Sequence, residues 1–220
     1  MFNSQKNVFW EALLVTIFIF GIGILAGVLL ENSRTSQINS LFQKSEVDLL
    51  DIKLQNEIYS SENFNCEFAV KENLNFADKI YKEAQLLEKY EKASRLTEEM
   101  IIQHKKYDLL RTMLLLNSEK IRENCNVDYN EIVYFYVLKP EDLTLKAKQN
   151  VFSKALLELK ESYGEEILLI PIGVDNKTSS INLILDKYNI SNQNLPVILI
   201  NEEEKLMSVE NLAEIQKYLA

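Results

Sequence analysis

A run of nineteen residues without a charged side chain, from Ala12 to Leu30, constrains this chain more than any other feature. As an α-helix the run is about 28 Å long, close to the thickness of the hydrocarbon core of a bilayer. A cleaved signal peptide is the alternative, but its apolar core is usually shorter and ends in small residues, whereas this run ends in Val28-Leu29-Leu30. The run therefore predicts one uncleaved membrane-spanning helix over residues 12–30.

Charges around this run predict its orientation. The flank formed by residues 1–11 carries Lys6 and the α-amino group against Glu11. Because positively charged flanks tend to stay in the cytoplasm, the N-terminus is predicted to be cytoplasmic and the soluble part extracytoplasmic. Gly23 and Gly27 form a Gly-x-x-x-Gly spacing, which lets two membrane helices pack closely. The expected partners are therefore the membrane and, as one option, a second copy of this chain.

Residues 31–128 have the pattern of a helical stalk. Between Thr35 and Tyr59, apolar residues recur at alternating three- and four-residue steps, which is typical of a narrow packing seam. The seam contains Ile38, Phe42, Leu49, Ile52 and Tyr59, and it is interrupted by Ser45 and Asn56. It can pack on its copy in a dimer or on the rest of this chain, and the sequence leaves both alternatives open. Ser60-Ser61-Glu62-Asn63 then predicts a break in the helix.

Two further apolar stripes follow, and the two cysteines indicate how they fold. The stripes contain Val70, Leu74, Ala77, Tyr81, Ala84 and Leu87, and then Leu96, Met100, Tyr107, Leu110, Leu114 and Ile121. An antiparallel helical hairpin with its turn near Ala93-Ser94-Arg95 brings Cys66 and Cys125 together, whereas one continuous helix would hold them about 90 Å apart. We therefore predict a structural Cys66–Cys125 disulfide, which belongs to an oxidising compartment. Two unrelated buried thiols are the alternative.

Residues 129–220 change from helical periodicity to an α/β pattern. Apolar, β-branched runs of strand length alternate with amphipathic segments, which predicts a sheet covered on both faces. The predicted strands are Ile132–Leu138, Ile167–Val174, Pro196–Ile200 and a short one near Leu206; the predicted helices are Lys146–Tyr163, Ser179–Tyr188 and Val209–Leu219. The order is βαβαββα, with two crossovers and a terminal hairpin.

This C-terminal part resembles the thioredoxin superfamily. The resemblance covers about two-fifths of the chain and is most specific in Leu185-Asp186-Lys187-Tyr188-Asn189-Ile190, followed by Asn194-Leu195-Pro196-Val197. In that family the proline at the start of the third strand is cis and faces the redox loop. The resemblance therefore implies a cis Leu195–Pro196 bond. It also implies a protein-binding groove formed by Leu138, Pro140, Leu195 and Pro196.

The redox loop itself departs from the family. Where the superfamily keeps Cys-x-x-Cys, this chain has Lys139-Pro140-Glu141-Asp142-Leu143. Thiol–disulfide exchange requires a thiolate, and no residue of this loop can supply one. The expected function is therefore a redox-inactive, membrane-anchored thioredoxin-like protein that binds or scaffolds another protein, and not an enzyme. The alternatives are an oxidoreductase that uses the distant pair Cys66 and Cys125, and a purely architectural coiled-coil membrane protein.

Composition excludes several other functions. A net charge of −9 leaves no basic stripe for binding phosphates, so no nucleic-acid partner is expected. The single His104 and the two distant cysteines match no zinc-ligand spacing, so no metal site is expected, and His104 is predicted to be a solvated helix residue. The sequence contains no phosphate-binding loop and no nucleophile–base pair, and no cofactor is expected.

Overall fold

The computed structural model describes residues 3–61, 64–93, 98–176 and 178–219. Contacts divide the chain into two compact units, Met1–Lys44 and Ser45–Ala220. The fold of the described residues is mixed α/β, with one apolar helix near the N-terminus and a four-stranded mixed sheet. The elements are α1 (Asn3–Tyr59), α2 (Cys66–Ala93), α3 (Glu98–Asn124), β1 (Asn130–Tyr136), α4 (Leu143–Tyr163), β2 (Ile167–Gly173), α5 (Ser179–Lys187), β3 (Val197–Ile200), β4 (Glu204–Leu206) and α6 (Leu212–Gln216).

The first unit consists of the N-terminal part of α1. Its segment Val8–Ser33 has a mean hydropathy of 2.8, and it is the one helical segment among the described residues that is long and apolar enough to span a membrane. The apolar side chains of this segment are exposed. A Cβ atom added at Gly23 or Gly27 would meet nothing within 4 Å, so in the single chain the Gly-x-x-x-Gly surface is open.

The C-terminal part of α1, from Ser45 onward, packs on α2 and α3. Of the predicted seam, Ile52 and Tyr59 are buried, and Asn56 donates a 2.8 Å side-chain hydrogen bond to Asn117 of α3. The described part of the seam thus packs within this chain; the side chains of Ile38 and Phe42 lie outside the described residues. The opposite face of α1 carries a stripe of large apolar side chains that are more than half exposed: Val47, Leu50, Leu54 and Ile58.

The apolar stripe of α2 is not the buried face of this helix among the described residues. Val70, Leu74, Ala77 and Ala84 are only half-buried, and Tyr81 is 40% exposed. The buried face instead contains Ala69, Asn73, Phe76, Ile80 and Glu83. It includes two polar side chains, and the Glu83 carboxylate accepts a 3.5 Å hydrogen bond from the Tyr107 hydroxyl of α3. On α3, the predicted residues Met100, Tyr107, Leu110, Leu114 and Ile121 are buried.

The ends of α2 and α3 are joined by the predicted disulfide. Cys66 begins α2 and Cys125 directly follows α3, and the two sulfurs are bonded, with 5.6 Å between the Cα atoms. Tyr59, Ala69 and Ile121 form a small buried cluster with Cys125 packed against it. The predicted turn at Ser94 and Arg95, and Leu96, lie outside the described residues, as does the side chain of Leu87.

The sheet has the strand order β2-β1-β3-β4. β1 is parallel to β2, with Val133 opposite Ile170, and antiparallel to β3, with Phe135 opposite Val197. β1 begins two residues earlier than predicted and ends at Tyr136. It ends there because the Gln149 side chain bonds both the backbone N–H and the C=O of Val137, at 2.9 Å each. The last helix, α6, is only five residues long, shorter than the predicted Val209–Leu219.

One face of the sheet is covered by α4 and α6. Their side chains form a core with β1, β2 and β3, whose buried members include Ile132, Phe152, Leu159, Ile198 and Ile215. α4 begins with Asp142 as its N-cap, because the carboxylate accepts a 2.7 Å bond from the Thr144 N–H, and it ends at Gly164, which has a positive φ of 55°. α3 contacts β2 and α5, so the helical region and the sheet belong to the same compact unit.

Candidate functional site

The carboxyl end of β1 is where the sequence placed the binding groove. Pro196 immediately precedes β3, whose residue Val197 lies opposite Phe135, so Pro196 lies beside the point where β1 ends. The Leu195–Pro196 peptide bond is cis. Both residues are buried, whereas Leu138 and Pro140 are half-buried. Of the four predicted groove residues, only Leu138 and Pro140 therefore present appreciable surface to a partner.

Side chains hold the loop after β1 in place. The Asp175 carboxylate accepts hydrogen bonds from the backbone N–H groups of Leu138, at 2.8 Å, and Lys139, at 3.1 Å. Leu138 and Lys139 line a small cavity of about 290 Å³ with residues of α3, among them His104. His104, predicted to be solvated, is half-buried there. Because Asp175 already occupies two loop N–H groups, they do not form an anion-binding nest.

Hydrogen bonds to the Asp108 side chain connect α3 to the end of β2. This buried carboxylate accepts hydrogen bonds from the Gly173 N–H, at 2.9 Å, and the Asn176 side-chain amide, at 3.0 Å, and pairs with Arg111 at 3.3 Å. Burial raises the pKa of Asp108, and Arg111 and the Gly173 N–H oppose that rise. A Cβ atom at position 173 would lie 2.9 Å from Asp108 Oδ2, so glycine is required for this close approach. Sequence reasoning missed this contact, since it joins residues 65 positions apart.

The disulfide lies at the other end of β1. Cys125 is followed after four residues by the start of β1, and Cys66 lines a groove together with Tyr129 and Leu168, which lie at the amino ends of β1 and β2. A seven-residue strand is roughly 23 Å long. The sulfur atoms and Pro196 are therefore separated by about the length of the strand.

That groove lies between α2 and the amino end of β2, and we call it the acidic groove. Its volume is about 770 Å³. Apolar side chains line it at four positions: Val70, Leu74, Ala77 and Leu168. Five carboxylates also line it: Glu67, Asp78, Asp128, Glu165 and Glu166. The two lysines of the groove are Lys71 and Lys160, so negative charge predominates.

A buried polar cluster joins α3 to β1 and to the β3–β4 turn. Glu131 of β1 is fully buried, and neither carboxyl oxygen has a hydrogen-bonding partner among the residues that the structure describes. Burial raises the pKa of Glu131 to about 8, Ser118 opposes the rise, and Glu202 adds to it. Asn201, with a positive φ of 50°, accepts bonds from the Glu131 N–H, at 2.9 Å, and Arg122, at 2.6 Å.

Glu119 completes this cluster on the side of α5. Its carboxylate pairs with Lys187 at 2.6 Å and accepts a hydrogen bond from the Tyr188 hydroxyl. No group of three or more His, Cys, Asp or Glu among the described residues is arranged to hold a metal ion. The cluster joins α3, α5, β1 and the β3–β4 turn through hydrogen bonds and an ion pair, and burial favours the protonated form of Glu131.

These features define a mixed α/β protein with an N-terminal apolar helix long enough to cross a membrane, a disulfide and a four-stranded sheet. Comparisons with protein-family models, curated proteins and solved structures found no match for this chain.

Proposed function

We propose that this chain is a membrane-anchored, redox-inactive protein-binding or scaffolding module whose C-terminal part is thioredoxin-like. The βαβαββα order of the elements from β1 to α6 supports this proposal. So does the position of Pro196, directly before β3 and beside the carboxyl end of β1. Before this domain, α2 and α3 act as an antiparallel hairpin whose open end is closed by the disulfide.

One observation carries the non-catalytic part of the proposal: the sulfur atoms and the cis proline are at opposite ends of β1. Thiol–disulfide exchange beside Pro196 would require a sulfur at Leu138–Pro140, where this chain has none. This separation favours a structural disulfide over the alternative of an oxidoreductase that uses Cys66 and Cys125. In this proposal the thioredoxin-like domain binds a partner and carries out no redox chemistry.

The disulfide also supports an extracytoplasmic location of the soluble part. Stable disulfides persist in oxidising compartments and are rare in the cytoplasm. With α1 as the single membrane anchor, the N-terminus is cytoplasmic and residues from about Ser45 onward lie outside.

Thiol labelling of intact cells with a membrane-impermeant maleimide tests topology and bonding together. We expect labelling only after treatment with a strong reductant, and none in the Cys66→Ser/Cys125→Ser variant. Labelling that requires cell lysis would refute the extracytoplasmic location. An insulin-reduction assay on the purified full chain addresses chemistry: activity above that of the double-serine variant would refute the redox-inactive role.

A second candidate, an architectural homodimer, is favoured by the exposed stripe on α1. Val47, Leu50, Leu54 and Ile58 follow three- and four-residue spacing and leave an apolar helix face without a partner in the described chain. Light scattering of the full chain in mild detergent tests this. A dimer that becomes a monomer in the Leu50→Glu/Leu54→Glu variant would support the homodimer, and a monomer at all concentrations would exclude it.

A further inference from the structure

We propose that the acidic groove binds a segment of another protein in which apolar side chains alternate with lysine or arginine. This inference rests on the proposed protein-binding function and names both the surface and the chemistry of the partner. The surface differs from the Pro196 end of the sheet, where two of the four predicted contact residues are buried.

Val70, Leu74 and Ala77 are half-buried, so each keeps some apolar surface that a partner can reach. Val70 also packs on the cluster of Tyr59, Ala69 and Ile121, and Leu168 is buried. Val70, Leu74 and Ala77 are four and three residues apart, so they form one face of α2. That face is distinct from the buried face of α2, which contains Phe76 and Ile80. An apolar helix face that borders an open groove is typical of an interaction surface.

The charges of the groove select the partner. Five carboxylates oppose two lysines, and one of these lysines is already engaged. Lys160 Nζ donates hydrogen bonds to the backbone carbonyls of Gly164 and Ile167, at 2.8 Å each. These bonds hold Lys160 beside the chain entering β2, where its positive charge interacts with Asp78 and Glu165. Five carboxylates against two lysines still leave the groove with an excess of negative charge, which attracts a cationic partner.

The size and rigidity of the groove suit a peptide. Its volume of about 770 Å³ is within the range of about 300–1,000 Å³ seen for ligand sites. One end is fixed by the disulfide at Cys66. Tyr129, which also lines the groove, is buried, and its hydroxyl is hydrogen-bonded to Ser118 at 3.0 Å. A preformed groove binds with a smaller loss of conformational entropy than one that must be ordered by its ligand.

The test uses the full chain in nanodiscs of zwitterionic phosphatidylcholine. A phage library of random peptides of about 12 residues is selected on these discs, with empty discs for counter-selection. We expect the enriched peptides to combine Lys or Arg with large apolar residues. Synthetic copies should bind the Leu74→Asp variant and the Glu165→Lys/Glu166→Lys variant at least about tenfold more weakly than the unaltered chain. Affinity for the unaltered chain should also fall as the salt concentration rises.

Two matched variants serve as controls. Leu183→Asp introduces the same charge at an exposed leucine of α5, and Glu161→Lys/Glu203→Lys makes the same charge change at exposed positions outside the groove. Both should bind the peptides as the unaltered chain does. Because Glu165 and Glu166 are exposed, their double variant tests the groove even if Leu74→Asp disturbs folding.

Each other outcome would overturn the inference. Enrichment of acidic peptides would refute the acidic groove as the binding site, and so would peptides that bind the groove variants with unchanged affinity. Either outcome would leave the proposed protein-binding function standing. Enriched peptides that match a segment of this chain would make a second copy the occupant. A selection without enrichment over empty discs would also refute peptide binding in the groove. Maleimide labelling tests the membrane topology independently of that outcome.

Discussion

Replacing Glu131 should change how the stability of the protein depends on pH. In the folded protein its pKa is raised, mainly by burial, to about 8 from the ordinary 4.5 of a glutamate side chain. Between these values the folded state keeps the proton while the unfolded state releases it. Ionisation thus stabilises the unfolded state, and the free energy of unfolding falls as the pH rises.

The magnitude follows from the difference between the two pKa values. Each pH unit between about 4.5 and 8 should lower the free energy of unfolding by about 1.4 kcal/mol, or about 5 kcal/mol across the window, through this carboxyl alone. Below pH 4.5 both states are protonated and above pH 8 both are ionised, so the decline stops. Glutamine has a similar shape and no charge, so Glu131→Gln should remove this slope.

Urea unfolding of the full chain in non-ionic detergent, followed by circular dichroism from about pH 5 to pH 8, measures the effect. The stability of Glu131→Gln relative to the unaltered chain should increase steadily with pH over this range. Glu141→Gln, at an exposed position of the loop after β1, should show no such trend. A difference between Glu131→Gln and the unaltered chain that does not vary with pH would refute the assignment of Glu131 as a buried neutral acid.

Three further predictions concern the contacts that hold the second unit together. Cys66→Ser/Cys125→Ser should lower the free energy of unfolding by about 4 kcal/mol, because the bond closes a loop with a sequence separation of 59. In a thermal melt, reductant should lower the melting temperature of the unaltered chain to that of this variant. Gly173→Ala should lower the free energy of unfolding by about 1–3 kcal/mol, because the added methyl group would press on Asp108. In a double-mutant cycle, the loss in Gly173→Ala/Asp108→Ala should be smaller than the sum of the losses in the two single variants. Strictly additive losses would contradict the contact. Asn201→Ala should lower the free energy of unfolding by about 1–3 kcal/mol in urea, because it removes the Oδ1 atom that accepts from both Arg122 and the Glu131 N–H, at a left-handed position. An unchanged free energy of unfolding would contradict that role.

The sequence predicted the elements from β1 to α6 well because their signals are local. Apolar β-branched runs such as 167–173 are long enough for buried strands, and the predicted helix Lys146–Tyr163 ends where α4 ends, before Gly164. α4 begins three residues earlier than predicted, at Leu143, after its N-cap Asp142. The Cys66–Cys125 pairing could be predicted because one arrangement of the helices brings both residues to the same end.

The sequence misled where burial depends on distant contacts. On α2, the buried face includes Asn73 and Glu83, whereas the more apolar stripe that periodicity identifies borders the acidic groove. The predicted strand begins at Ile132, whereas β1 begins at Asn130 and includes Glu131. A buried carboxyl group is not expected from sequence, because carboxylates usually stay in solvent. The burial of Glu131 results from packing against α3, and no local pattern encodes that contact.

The covered edge of β2 has a consequence for assembly and solubility. β2 is an outermost strand, a position at which unpaired backbone groups can recruit a strand from another molecule. At one end of β2, Lys160 bonds the Ile167 carbonyl, and at the other Asp108 bonds the Gly173 N–H. Both side chains therefore occupy backbone groups that a strand from another molecule would need for edge-to-edge pairing. The opposite edge is β4, whose three residues offer too short a template for stable strand addition.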